Sequence, residues 1–485
     1  MIKSWLSRYR PRYIRSLVYM LQESEYDIRD YLKWYHRTRD FVRVERRGHL
    51  IWTLKARALY VLAWILVAGA AMIMYAGVQS NSDMVPVVAA VLLVLFPFVL
   101  PYAILVPLLI LHIAQRPFEY VVLKQTRKQL ARHPAVKIAI AGSFGKTSMR
   151  EILKTVLSQG KKVAAPPHSF NTPLGIWRFV KGLTGEEEVL LFEFGEYYPG
   201  DIRTLCRIVQ PQWGVITGVN EAHLEKFKSL ERTANTIFEL ADWLGARPLY
   251  VNPAPSQRCW VNGESDLARK NARAGDLIYS RQGVGGWRAK DAHSDLTGTS
   301  FVLVRGDTIL QLRSGLLGLH QIGPLAAAAD IGFRLGLTPG EIERGVAATR
   351  PFDHRLQPST DQSGVVTLDD SYNGNPDGVR AVIEFLRSLR GYRRFYVTPG
   401  LVEMGDAAER VHREIGKELA QAHIEKVVLV KNSVTPYLAE GLREAHYDGE
   451  IIWFDDALFA FAALPHLTVK GDVVLLQNDW PDQYA

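Results

Sequence analysis

The chain has 485 residues, 48% hydrophobic and 22% charged, enough for a packed core and for about three domains on a prior of ~150 residues each. Its net charge of +8 points to anionic partners: nucleic acid, an anionic lipid surface or phosphorylated substrates. Two cysteines, Cys206 and Cys259, exclude a disulfide framework or a zinc cluster built from cysteine alone and fit a reducing compartment.

Residues 1–57 mix arginine with aromatic residues, as in WLSRYRPRYIRSLVYML. That pattern suits either helices lying on an anionic leaflet or solvated helices beside a membrane span. No base-reading motif accompanies it, so nucleic acid is not expected as a partner. Ala58–Val78 carries no charge and is long enough to cross ~30 Å of hydrocarbon as a helix. A second apolar run, Met84–Ala114, contains Pro86, Pro97, Pro101 and Pro107 and predicts a kinked or tilted second pass. The connector QSNSD has no lysine or arginine, whereas Lys55, Arg57, Arg116, Lys124, Arg127 and Lys128 flank the pair. The positive-inside rule then places both ends in the cytoplasm. The expectation is a multi-pass protein of the cytoplasmic (inner) membrane, its later domains facing the cytoplasm, with membrane lipid as a partner. A buried soluble hairpin is the alternative.

Farther along, VKIAIAG predicts a buried strand, and TSMREILKTVL has helical spacing at Met149, Ile152, Leu153, Val156 and Leu157. Between them lies Gly142-Ser143-Phe144-Gly145-Lys146-Thr147. A strand, a glycine turn and a helix start aim backbone N–H groups and the helix dipole at an anion. In that frame Lys146 reaches the β- and γ-phosphates of a nucleotide and the Thr147 hydroxyl ligates Mg²⁺. The full phosphate-loop pattern needs glycine at 140, where Ile140 stands, so this is a shortened variant. The bland alternative is a tight turn with a solvated lysine. Toward the C-terminus, RRFYVTPG, KVVLVKN and GDVVLLQND alternate with helical patterns and predict an open, mostly parallel sheet.

Shortened loops of this form resemble the Mur ligase family, and the rest of that family's pattern follows in order. HSFNTPLGI (168–176) resembles its substrate-side loop, and FEFGEYYPGDI (192–202) its E-x-G-x-x-x-P-G-E-I segment. GVITGVNEAHLEKFKSLE (214–231) is similar to I-T-N-I-G-E-A-H-L-E-x-F-x-S-L, and GLHQIGPLAAAA (318–329) to G-x-H-N-x-x-N-x-x-A-A. RPFDHRLQ (350–357), LDDSYNGNPDGVRAVIEFL (368–386) and EMGDAAERVHREIG (403–416) resemble the C-terminal motifs. Within the family, D-D-S-Y-N-x-N-P and G-E-A-H-L-E resemble the branch that adds D-Ala-D-Ala to the muramoyl tripeptide.

The resemblance covers about residue 130 to the C-terminus. It implies an ATP-dependent ligase joining a carboxylate to an amine through an acyl phosphate, with ATP and Mg²⁺ as cofactors. It assigns the nucleotide to Gly142, Ser143, Gly145, Lys146, Thr147, Ser148, Gln321, Arg355 and Asp370. Metal falls to Thr147, Glu193 and His223, and catalysis to Lys146, Glu193, His223 and Arg355. Asn171, Thr172, Asn373 and Asn375 are placed on the substrate side. The implied partners are a cell-wall precursor, a UDP- or polyprenyl-linked muropeptide, and an amino acid or dipeptide such as D-Ala-D-Ala.

Three departures stand out. The family's carbamylated lysine, which helps hold a second Mg²⁺, is replaced by Ile237. Either another oxygen ligand substitutes, Glu221 or water, or the second metal is weak. Gln321 stands at the adenine-side asparagine. The family's small UDP-binding domain has no counterpart, and the apolar hairpin occupies its place. The expected organisation is α/β: basic, aromatic-rich helices over 1–57, a two-pass transmembrane hairpin over 58–114, a central phosphate-loop ATPase domain over 115–350 and a Rossmann-like α/β domain over 351–485. A membrane-bound nucleotide-binding scaffold, or a ligase for a polymer outside peptidoglycan, are the alternative readings.

Overall fold

The computed structural model describes residues 6–478 except 39, 42–43, 46–48, 80, 82–83, 168–169, 221–226, 228, 247–257, 373 and 403, and except the side chain of Leu93. Two compact units emerge, within Met1–Val121 and Val122–Asp479.

In the first unit, helices Arg12–Glu23 and Ile28–Arg37 turn tyrosines and aliphatic side chains inward. Tyr13, Leu17, Val18, Tyr31 and Trp34 share a core with Leu59, Leu100, Ile104 and Leu108. The first apolar run forms helix Leu54–Val78. It starts earlier than the expected Ala58 because Thr53 caps it, its hydroxyl accepting from the Ala56 N–H at 3.2 Å. The second apolar run is two helices, Val85–Ala103 and Leu105–Arg132, separated by a turn at Ile104. Proline explains the local chemistry. Pro101 has no N–H to offer the Pro97 carbonyl, and the Tyr13 hydroxyl donates to it instead at 3.0 Å. By length and composition alone, these two apolar stretches are long enough to cross a membrane.

The second unit contains, among the described residues, two sheets. The larger has ten strands. Its parallel part is β1 (Val136–Ala141), β2 (Val163–Ala164), β3 (Val189–Glu193), β4 (Trp213–Ile216), β5 (Cys259–Asn262) and β6 (Leu277–Ser280), in spatial order 2-3-1-4-5-6. An antiparallel extension follows through β7 (Gly283–Val284), β8 (Trp287–Asp295), β9 (Gly298–Arg305) and β10 (Thr308–Ser314). β1 is fully buried beyond its first residue, which is why it reads as a near-continuous apolar run. Helix Lys146–Leu157 packs Met149, Ile152, Leu153 and Val156 into the core on one side of this sheet.

The smaller sheet runs β11 (Gln357–Thr360), β12 (Val366–Asp370), β16 (Val473–Gln477), β13 (Arg394–Thr398), β14 (Lys426–Val430), β15 (Glu450–Phe454). All its pairings are parallel except β11 with β12. Loops after the carboxyl ends of β1, β3, β4 and β12 carry the motifs singled out above, as expected of open α/β sheets.

Candidate functional site

β1 ends at Ala141, and the chain turns through Gly142 and Gly145 into helix Lys146–Leu157. A side chain at Gly142 is forbidden: its φ is +149°, and a Cβ would lie 2.2 Å from the Thr217 hydroxyl oxygen. Gly145 takes φ +73° as the residue before the helix, the left-handed turn that presents the first helical N–H groups. The Ser143 N–H donates to the Gly218 carbonyl at 2.9 Å, so the loop after β4 braces the loop after β1. Ser148 lies in the first turn of the helix.

Lys146 and Thr147, adjacent at the helix start, reach different carboxylates. The Lys146 ammonium donates to the Gly142 carbonyl and to Glu196 Oε1 at 2.9 Å. The Thr147 hydroxyl lies 3.0 and 3.1 Å from the two oxygens of Glu193, the last residue of β3. Hard hydroxyl and carboxylate oxygens suit Mg²⁺, which usually takes one or two protein carboxylates and completes its shell with phosphate and water oxygens. Among the described residues no group of three or more His, Cys, Asp or Glu could hold a metal by itself. Thr147 and Glu193 therefore fit a Mg²⁺ shared with a nucleotide.

Two residues here escaped the sequence reading. Arg150, 2% exposed, ion-pairs with Glu193 Oε2 at 3.3 Å and with Glu151 at 2.7 Å. Glu196, 4% exposed, is the carboxylate on the lysine. Burial of a charge was the missing signal, and a charged residue one helical turn past a lysine looks like an ordinary solvated face from sequence alone.

The other expected residues divide. The Asn171 carbonyl accepts from the Gly195 N–H at 3.0 Å, which sets it against the loop carrying Glu196. The Thr172 hydroxyl caps helix Pro173–Val180. Asn375 caps helix Pro376–Ser388, its Oδ1 accepting from the Gly378 N–H at 3.0 Å and from the Asn220 amide at 2.8 Å. Asn220 also donates to Asp377 at 2.9 Å. The Gln321 amide lies 2.8 Å from His320 Nε2. His320 is pushed down to about 4, first by burial and then by the charge of Arg281. His223, Glu221 and Asn373 lie outside the described residues.

Asp370 ends β12, with the Leu356 N–H on Oδ1 at 3.0 Å and the Gln477 amide on Oδ2 at 2.7 Å. Burial pushes its carboxyl up to about 6, against the pull of those bonds and of the Arg355 charge. The Arg355 guanidinium lies 5.1 Å from the centre of the Tyr372 ring. Burial lowers its pKa, while Asp370, Tyr372 and Glu193 raise it, so Arg355 feels carboxylates of both sheets. Ile237 is fully buried in an apolar cluster with Phe192, Phe194, Ile216 and Phe238. A hydrocarbon side chain there supplies no metal ligand.

Residues 140–331 match the Mur ligase middle domain, and residues 354–477 the Mur ligase glutamate ligase domain. The UDP-N-acetylmuramoyl-tripeptide–D-alanyl-D-alanine ligase of Mycobacterium leprae is 28% identical over 363 residues, 70% of each chain. That of Mycobacterium tuberculosis (strain ATCC 25618 / H37Rv) is 30% identical over 300 residues, 60% of this chain and 58% of the relative. Among solved structures, MurF ligase from Thermotoga maritima in complex with ADP has a TM-score of 0.63 at 25% identity, covering 74% of this chain and 80% of that one. MurF from Acinetobacter baumannii gives 0.64 at 20%, covering 76% and 78%.

These relatives correct the expected location. The matching MurF ligases are soluble cytoplasmic enzymes, which overturns the reading of a multi-pass inner-membrane protein. Two long apolar helices are weak grounds for it, because the core helix of a soluble protein or a signal sequence passes the same test. The relatives' names specify a UDP-linked tripeptide, and neither a membrane lipid nor a polyprenyl-linked precursor finds support among them.

Proposed function

The chain belongs to the Mur ligase family, and on that premise we propose that it forms the peptide bond between a UDP-linked muramoyl tripeptide and D-Ala-D-Ala, as its MurF relatives do. It is an ATP-dependent ligase of peptidoglycan precursor synthesis that uses Mg²⁺. One observation carries the reading of the site: Thr147 and Glu193 meet at 3.0 Å beside Lys146, at the start of the helix that follows β1.

In this reading the glycine turn and the first N–H groups of helix Lys146–Leu157 bind the nucleotide's phosphates, and Lys146 leaves its resting carboxylate to neutralise the γ-phosphoryl group. Thr147 and Glu193 would hold the Mg²⁺, which would screen the charge that builds during transfer. The substrate carboxylate takes the phosphoryl group, the amine attacks the resulting acyl phosphate, and phosphate leaves. Arg355 and Asp370 approach the nucleotide from the C-terminal domain, 351–485, and Gln321 from the central domain, 115–350, on the adenine side. The family resemblance assigns His223 to the metal and Asn171, Thr172, Asn373 and Asn375 to the substrates. The protein's contribution is positioning and charge neutralisation, with no covalent step of its own.

Mass spectrometry of products from ATP, Mg²⁺, D-Ala-D-Ala and UDP-muramoyl tripeptide tests this. The expected product is the pentapeptide with release of ADP and phosphate. Bound nucleotide without product, in the wild type as in Lys146→Ala, would overturn the assignment and leave a non-catalytic scaffold.

A further inference from the structure

Arg150 has no part in the roles above, yet it is 2% exposed and lies against the carboxylate that ends β3. It sits three residues past Thr147 on the same helix, so both side chains lie on one face and address Glu193 together. The Thr147 hydroxyl is 3.0 and 3.1 Å from the two Glu193 oxygens, and Arg150 Nη1 is 3.3 Å from Oε2. The other edge of the guanidinium, Nε and Nη2, donates to Glu151 Oε1 at 3.1 and 2.7 Å. Glu151 is its neighbour on that helix, so this fork fixes the cation on its own element.

The two cations of this helix differ in kind. Lys146 is an ammonium on a flexible stem, able to turn from a carboxylate to a phosphate, whereas Arg150 is planar, always charged, buried and clamped. Its fixed positive charge beside a metal-side oxygen opposes a divalent cation placed on Glu193. Arg355 also lies within electrostatic reach of that carboxylate. Thr147 and one neutralised carboxylate are a poor site for Mg²⁺, which gives up its waters reluctantly and needs anionic oxygens to do so. Among the described residues no group of three or more His, Cys, Asp or Glu makes up the charge. The phosphates of a nucleotide supply it.

We propose that Arg150 is a positioning residue that makes metal binding depend on nucleotide: by holding Glu193 and offsetting its charge, it keeps the bare ion off the site and admits it together with ATP. The inference rests on the ligase reading above and adds to it the order in which ion and nucleotide load.

The test uses the full chain with Mn²⁺ as the probe, first alone and then with a non-hydrolysable ATP analogue, counting bound ion by electron paramagnetic resonance and following thermal melts. With Mn²⁺ alone, wild type is expected to bind weakly and to keep its melting temperature. Arg150→Met, long but uncharged, should bind Mn²⁺ alone at least about tenfold more tightly, and the ion should raise its melting temperature. Arg150→Lys, which keeps the charge, should restore the weak binding of the wild type. A merely structural role predicts the reverse, since loosening Glu193 weakens a metal site. Mn²⁺ affinity in Arg150→Met equal to or below that of wild type overturns the proposal. Should that variant fail to fold, Arg150→Gln carries the same expectation. Wild-type protein that binds Mn²⁺ equally tightly with and without the analogue also overturns the proposal. Wild-type protein that binds no nucleotide at all overturns the ligase reading instead, while the comparison with metal alone still decides the part assigned to Arg150.

Discussion

At Asp370, burial and a neighbouring guanidinium pull in opposite directions. Burial prevails, and the carboxyl titrates at about 6 rather than at its ordinary 3.8. With the folded value raised, its contribution to stability is fully present below pH 3.8 and is lost as pH rises through about 6. Function in the proposed role needs the opposite, ionised form. Nucleotide affinity should therefore weaken as pH falls through 6, and Asp370→Asn should flatten that dependence while raising the melting temperature at pH 8; calorimetry and thermal melts at pH 5 to 8 check both. Lys146→Ala should lower kcat by on the order of 10²–10³, the usual cost of removing one charge-stabilising donor, as read by phosphate release. Lys146 and Thr147 were legible in the sequence because a strand, a glycine turn and a helix start declare themselves locally, whereas Glu193 was reached only through the family resemblance. Arg150 and Glu196 were not legible, because what distinguishes them is burial beside a partner brought in by the fold.

Helix Ile322–Arg334 shows the same limit at the scale of an element. Its alanines Ala326 to Ala329 are fully buried. Asp330 follows them, itself fully buried. It accepts from the indole N–H groups of Trp260 at 2.9 Å and Trp287 at 3.1 Å, and from Arg334 at 2.8 Å. Strands β5 and β8 are thereby tied to one helix through a single carboxylate. Asp330→Ala leaves two indole donors and a guanidinium without their acceptor and should cost about 3–5 kcal/mol in denaturant unfolding. Loss under 1 kcal/mol would mean that water replaces the carboxylate. The glycine turn makes a matching case: Gly142→Ala should abolish nucleotide binding, since the new methyl group collides with Thr217.

Among the described residues of the larger unit, Asn220 and Arg281 reach across from the first sheet's side to residues of the C-terminal part. Asn220 donates to Asn375 and Asp377, and Arg281 forms a two-pronged pair with Glu384 at 2.7 Å on each prong. Charge-assisted bonds of that geometry are the stronger kind, though both partners remain partly exposed. Removing both contacts, with Asn220→Ala and Glu384→Gln together, should loosen the two domains and enlarge the radius of gyration by small-angle scattering. An unchanged radius would assign the hold between the two parts to apolar packing alone. The mostly parallel sheet toward the C-terminus was readable from the sequence, since alternating strand and helix signals announce it, and the antiparallel extension through β10 was missed because it falls outside every motif. The N-terminal apolar runs were read as passes through a bilayer. Apolar length measures what a helix could do, and the character of the relatives decided against that reading.

The oily environment of Ile237 has one more consequence. A lysine at that place acts only after capturing dissolved carbon dioxide, and a hydrocarbon captures nothing. Degassed, bicarbonate-free buffer should leave this catalyst's turnover unaltered, freeing it from a gas that a carbamate-dependent ligase requires.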